Sequence, residues 1–192
     1  LDYIYWKNLY PHLKQIVVGY PRFNKIWIEN IPQVKNKSDI TTIYLSYRRD
    51  LQDEKWFSKA IAQLEMIKNI LRCIDKNFEI YVKIHPYTNQ SEIVDYLRNE
   101  KNIKFIFSHL HQQEICKLSD FSINFFRSAS IMDSLSTKTP AIELSKISDE
   151  KFGSPYKDNN ISFYADNKNI LEEYIKKFSE NDIEIKEEFK IK

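Results

Sequence analysis

Between residues 41 and 178, short β-branched and aromatic runs alternate with runs of helical period, and this alternation limits the fold more than any other feature of the chain. The strand-like runs are 41–47, 78–84, 104–107, 121–126, 141–144 and 161–164. Between the first two, Trp56, Ala60, Leu64, Ile67, Leu71 and Ile74 recur at three- and four-residue spacing, which predicts a helix over 54–74. A second helix is predicted to open at Asn89, in a capping-box spacing with Glu92 and with an apolar face of Ile93, Val94 and Leu97. Shorter helical patterns cover 111–118, 130–137 and 169–178. Strand and helix in this rhythm predict βαβ units: an α/β, Rossmann-like parallel sheet with helices on both faces. Upstream, Ile16-Val17-Val18-Gly19 reads as a further short strand and 35–39 as a polar connector. The tail after Ser179 reads as solvent-facing. The chain starts at Leu1 rather than Met, so it is expected to be a piece of a longer protein, with 1–38 joining a further domain, 39–180 the Rossmann-like domain and 181–192 the tail.

Only two glycines occur, Gly19 and Gly153. A dinucleotide fingerprint needs three closely spaced glycines and a Walker loop two, because backbone must approach pyrophosphate without a Cβ in the way. Neither can be built here, so any phosphate must be held by helix starts, hydroxyls and cationic side chains. The net charge of +2 gives no ground for a nucleic-acid partner. Cys73 and Cys116 lie in helical patterns without His or Cys at metal spacing, and read as buried free thiols of a reducing compartment. No apolar run approaches the roughly 20 residues that span a bilayer.

Chemistry is expected where the strands end, because ligands of open parallel sheets collect at the carboxyl edge. The strand 78–84 runs into His85-Pro86, and proline biases the preceding residue toward extended backbone. Alternation puts Tyr81, Lys83 and His85 on one face. A lysine in a central parallel strand is costly unless its amine meets an anion or a carboxylate, so Lys83 reads as a phosphate contact or a structural ion pair. The strand 121–126 runs into Arg127-Ser128-Ala129-Ser130, a hydroxyl-rich helix start of the kind that holds phosphate, with Ser130 and Asp133 at capping-box spacing. Arg48 and Arg49 follow the strand 41–47 and carry guanidinium forks suited to phosphate or to a solvated surface. His109 and His111 lack the partners of a zinc site.

Several landmarks stand in a fixed order: Gly19-Tyr20-Pro21-Arg22-Phe23-Asn24, Lys83-Ile84-His85-Pro86, Leu118-Ser119-Asp120, Arg127-Ser128-Ala129-Ser130-Ile131-Met132-Asp133 and Thr139-Pro140-Ala141-Ile142. Over residues 16–145 this order resembles the carboxyl-terminal half of GT-B glycosyltransferases. It is most similar to enzymes of bacterial surface-polysaccharide synthesis, namely capsule and sialic- or Kdo-type transferases with His-Pro and serine motifs, and teichoic-acid glycerophosphotransferases. Similar landmarks occur in UDP-N-acetylglucosamine 2-epimerases.

The resemblance implies a donor-binding domain over 39–180, facing an amino-terminal domain that supplies the acceptor site. It implies that His85 is catalytic, touching the donor phosphate or its sugar. Ser128 and Ser130 with their helix amides would hold the phosphate, and Asp133 would fix the helix start. Arg127, Arg48 and Lys83 are the cations expected beside them. The implied activity is metal-independent and cofactor-free transfer from a CMP-, UDP- or CDP-linked sugar to a glycan or lipid-linked acceptor, in the cytoplasm or peripherally at the inner membrane face. No Asp-x-Asp pair occurs in the chain. Ala129 interrupts what is often a serine pair, and Asn24 stands where a related pattern has aspartate, which leaves the donor open. Two alternatives remain: transfer of a polyol phosphate from a CDP-linked donor, and a non-catalytic module whose Tyr3, Tyr5, Trp6 and Tyr10 pack on a partner.

Overall fold

The computed structural model describes residues 8, 11–14, 21–32, 40–47, 64–74, 77–84, 90–106, 111–125, 128–144, 154–180, 182, 184–185 and 187–188. The chain divides into two compact units, Leu1–Ile31 and Pro32–Lys192. In the first, a 3₁₀ turn over Pro21–Phe23 precedes helix α1 (Lys25–Asn30). Asn24 caps α1 by accepting the Ile26 amide at 2.9 Å, a structural task that any Asx residue performs. The Arg22 guanidinium lies 5.0 Å from the centre of the Phe23 ring. The strand expected at 16–19, the connector 35–39 and the aromatic residues 1–6 lie outside the described residues.

The second unit is built on six parallel strands: β1 (Ile40–Tyr47), β2 (Asn77–Ile84), β3 (Ile103–Ile106), β4 (Phe121–Phe125), β5 (Ala141–Leu144) and β6 (Phe163–Ala165). Their order in the sheet is β3-β2-β1-β4-β5-β6. Every pair is parallel, so each connection crosses over the sheet through helical chain. Asp120 locks the start of the central pair: its carboxylate accepts the Thr42 amide at 2.7 Å and its own amide donates to the Thr42 carbonyl.

Register assigns each strand residue to a face. One face carries Ile43, Leu45, Ile80, Val82, Ile84, Phe121, Ile123, Phe125, Ile142, Leu144, Phe163 and Ala165 in one apolar core. It is covered by helix α2, described over 64–72, by Leu97 of α3 (Gln90–Leu97), and by Leu171, Ile175 and Phe178 of α7 (Lys168–Ser179). Phe121 stacks on Phe178 at 5.5 Å, and Phe163 meets Phe178 and Tyr174 edge-on. The opposite face receives α4 (Gln112–Leu118) and α5 (Ser130–Ser136), with Tyr44, Ile115 and Cys116 at its apolar centre. Helices on both faces of a parallel sheet make the Rossmann-like α/β fold that the alternation predicts.

Four local expectations differ from the structure. Residues after Ser179 do not simply face solvent: Ile185 is 3% exposed and belongs to the main core. Cys73 is exposed, because it falls in the turn after α2, while Cys116 is buried. A short helix α6 (Pro155–Asp158) forms where none is predicted; Ser154 caps it and Pro155 occupies its first turn. The α5 start is not a capping box: its N-cap is Ala129, in helical backbone without a side-chain cap. The capping box sits instead at α4, where His111 accepts the Gln113 amide and Glu114 accepts the His111 amide. With glycine so scarce, Lys138 (φ 61°) and Asn160 (φ 53°) take the left-handed positions at helix ends that glycine usually fills.

Candidate functional site

Strand order reverses between β1 and β4: the chain winds outward through β2 to β3, then returns to β4 beside β1 and winds the other way. A crevice forms at such a switch point, outside the carboxyl ends of the strands, because the adjoining connections leave on opposite faces. Ser46 pairs with Lys83 on one side and with Asn124 on the other, so Lys83, Ser46, Asn124 and Glu143 form one row across the sheet near that edge. At about 4.8 Å per strand, Lys83 and Asn124 stand roughly 10 Å apart along the row. The segments after Ile84 and after Phe125 leave from this same edge. His85, Arg48 and Arg127 lie outside the described residues.

A hydrogen-bonded relay ties the serine segment to β4. The Ser122 hydroxyl donates to the Pro140 carbonyl (3.3 Å) and accepts from Asn124 Nδ2 (2.8 Å). Asn124 Oδ1 accepts the Ser130 hydroxyl at 2.6 Å, and Ser130 Oγ lies 2.5 Å from Ser128 Oγ. Ser122, Asn124 and Ser130 are each buried, at 0%, 0% and 2% exposure, so their polar atoms need these protein partners in place of water. The relay has one direction. Pro140 and Asn124 Oδ1 can only accept, so Ser122 and Ser130 have each committed their single proton inward.

The backbone amides of the segment are also engaged. Ser128 donates to Phe125 O, Ile131 to Ser128 O and Met132 to Ala129 O, and the Ser130 amide donates to Ser128 Oγ at 3.3 Å. These four amides donate within the segment, as helix starts do when i→i+3 bonds satisfy them.

Lys83 is half-buried beside this segment. Burial lowers its pKa, and the negative charges of Asp133 and Glu114 act in the opposite sense. Asp133 is fully buried on α5 and Glu114 lies in the first turn of α4, so the structure brings Lys83 into the field of both. Cys116 on α4 contacts the Ser134 hydroxyl at 3.4 Å. Burial raises this thiol to about 12, which makes it an inert packing group. Around it, Thr139 Oγ1 donates to Cys116 O (2.7 Å) and Gln113 Nε2 to Ser136 Oγ (3.0 Å), fastening α4 to α5 by polar contacts. Glu143, fully buried on β5, accepts the Ser154 hydroxyl at 2.7 Å and the Ser162 hydroxyl at 3.2 Å. Sequence reasoning missed Asn124, Ser122 and Glu143. The signal for Ser122 and Asn124 was the alternation within Phe121-Ser122-Ile123-Asn124-Phe125, where every second residue of a buried strand is polar.

Of the residues predicted from sequence, Lys83, Ser128, Ser130 and Asp133 therefore gather on one face near one edge. Among the described residues there is no group of three His, Cys, Asp or Glu side chains arranged to hold a metal, and no helix long and apolar enough to cross a membrane.

No protein-family model and no curated protein matches the chain. Solved structures do match it. The UDP-GlcNAc 2-epimerase of Methanocaldococcus jannaschii, in complex with UDP-GlcNAc and UDP, superposes with a TM-score of 0.52 over 77% of this chain and 45% of its own, at 18% identity. These structures share the Rossmann-like α/β fold of the parallel sheet. The wall teichoic acid polymerase TagF, soaked with CDPG, matches at TM-score 0.50 and 15% identity over 99% of this chain and 40% of its own. The glycotransferase of kitacinnamycin matches at TM-score 0.53 and 11% identity over 84% and 40%. The chain spans less than half the length of each of these three proteins.

Proposed function

We propose that this chain is the donor-binding domain of a glycosyltransferase that uses a nucleotide-activated sugar, CMP-, UDP- or CDP-linked, in bacterial surface-polysaccharide synthesis. One observation carries the reading: the strand order reverses between β1 and β4, and the hydroxyl-bearing segment with Lys83 beside it stands at the carboxyl edge of that reversal, where nucleotides bind in doubly wound sheets. The similarity to an epimerase held in complex with UDP-GlcNAc and UDP supports it. In this reading Ser128 and the cations Lys83, Arg48 and Arg127 meet the donor phosphates, and Ser130 and Asp133 hold the segment in place. His85 touches the phosphate or the sugar as the bond breaks. Positive charge and hydroxyls stabilise the leaving phosphate without a metal. The acceptor, a glycan or a lipid-linked glycan, approaches from a further domain, at the cytoplasmic face of the membrane.

The test is a thermal-shift and calorimetric panel of CMP, CDP, UDP and GDP. A bound nucleotide at one hundred times its Kd raises stability by about 2.7 kcal/mol, and His85→Ala and Ser128→Ala weaken that effect. No shift with any of the four discards the reading. Polyol-phosphate transfer is the second reading, favoured by the match to TagF across 99% of the chain. For a UDP- or CDP-linked donor, a label at the β-phosphate separates the two: sugar transfer leaves the label on the released nucleotide, and polyol-phosphate transfer carries it into the polymer.

A further inference from the structure

The serine pair is not symmetric. Ser130 Oγ is 2.6 Å from Asn124 Oδ1, an atom that only accepts, so the Ser130 proton lies on that bond. In this orientation Asn124 Nδ2 donates to Ser122 Oγ at 2.8 Å, and the Ser122 hydroxyl in turn donates to the Pro140 carbonyl at 3.3 Å. Ser130 is 2% exposed, and Asn124 and Ser122 are fully buried, so no water can exchange these partners. What remains to Ser130 Oγ is acceptance, and Ser128 Oγ stands 2.5 Å away to donate. Ser128 is half-buried and nearer the rim than Ser130. The amides of Ser128, Ser130, Ile131 and Met132 donate within the segment.

We propose that Asn124 is a positioning residue that divides the work of the pair: it holds the Ser130 proton inside the sheet, so that Ser128 alone turns its hydroxyl to the donor phosphate. The inference rests on the donor-site reading above and adds a direction to it. Ser130 sets the orientation of Ser128 by accepting its proton when no anion is bound. An arriving phosphate oxygen takes that proton over, and the Ser130–Asn124 bond stays intact.

The experiment measures Kd for a nucleoside diphosphate and for its parent nucleoside, with melting curves for each variant. The ratio of the two constants isolates the phosphate contribution from general damage to the fold. Ser128→Ala is expected to weaken the diphosphate about tenfold, the size of one hydrogen bond to a charged group, with the nucleoside unchanged. Ser130→Ala is expected to change the ratio less than about threefold. Asn124→Ala frees the Ser130 proton, so Ser128→Ala costs less in that background than in the native protein; this arm decides the matter if Ser130→Ala does not fold. The proposal is overturned if Ser130→Ala costs as much phosphate affinity as Ser128→Ala, or if the cost of Ser128→Ala is the same with and without Asn124. Failure of the native protein to bind any nucleotide overturns the donor-site reading and this inference together. Native binding with an unaltered Ser128→Ala ratio overturns the inference alone.

Discussion

The two faces of the sheet are buried to the same depth by opposite chemistry. Ile43, Leu45, Ile80, Val82, Phe121, Ile123 and Ile142 are fully buried on one face, and Ser122, Asn124 and Glu143 are fully buried on the other. The apolar face is stabilised by area removed from water, about 25 cal/mol per Å², with no directional requirement. The polar face gains little from burial itself. Taking an amide or hydroxyl out of water costs more than a hydrogen bond returns unless each atom finds a partner, so that face depends on specific pairs: Asn124 to Ser122 and Ser130, and Glu143 to Ser154 and Ser162. A parallel sheet covered by helices would fold more simply with both faces apolar. The donor and acceptor pairs of this face lie toward the edge where Lys83 and the serine segment stand.

Deleting a large ring from the apolar face should do the most damage. Phe163→Ala removes the partner of both Phe178 and Tyr174 and is expected to cost about 3–5 kcal/mol in urea unfolding. A cost under about 1 kcal/mol would mean that face is loosely packed. On the polar face, Glu143→Leu fills similar space and leaves the Ser154 and Ser162 hydroxyls without their acceptor. About 1–3 kcal/mol for each stranded group is expected, with Glu143→Gln recovering part of it; a neutral Glu143→Leu would break the contrast between the faces.

The thiol of Cys116 sharpens the comparison through pH. Its folded pKa is raised from 9.0 to about 12 by burial, so the unfolded chain loses the proton first as pH rises. Its contribution is complete below pH 9 and declines by about 1.4 kcal/mol per pH unit as pH climbs from 9 toward 12. Cys116→Ala should flatten the alkaline limb of a stability curve against pH, and an unchanged slope would refute the assignment. The smallest effect is expected at the rim, where His111→Ala removes the acceptor of the Gln113 amide at the start of α4 and costs about 1 kcal/mol by denaturant titration.

Much of the fold was legible because strand signals are local. Thr41 to Tyr47, Phe78 to Ile84 and Ala141 to Leu144 each lie within an observed strand. The site was legible in part. Lys83, Ser128, Ser130 and Asp133 were found from their places at strand and helix ends, yet the roles of the serines were not, because the contact between Asn124 and Ser130 is made only when β4 and the start of α5 pack together. The cap at Ser130 and Asp133 was misassigned for a related reason: the spacing fits a capping box, but the Ser130 hydroxyl is drawn to Asn124 and the helix start turns on Ala129 instead. His111 supplied the real box at α4 with a ring nitrogen in place of the usual hydroxyl or carboxylate.

Sequence by itself determined the six strands of the sheet and most of its described helices, that the sheet is parallel, and that no glycine cradle can form, since period, propensity and composition act within a few residues of chain. Tertiary structure alone decided that the order reverses between β1 and β4, that Lys83 comes within the field of Asp133 and Glu114, and which way each hydroxyl proton points. Those outcomes depend on partners brought together from distant parts of the chain, where buried polar groups must be satisfied by whatever the packing sets beside them.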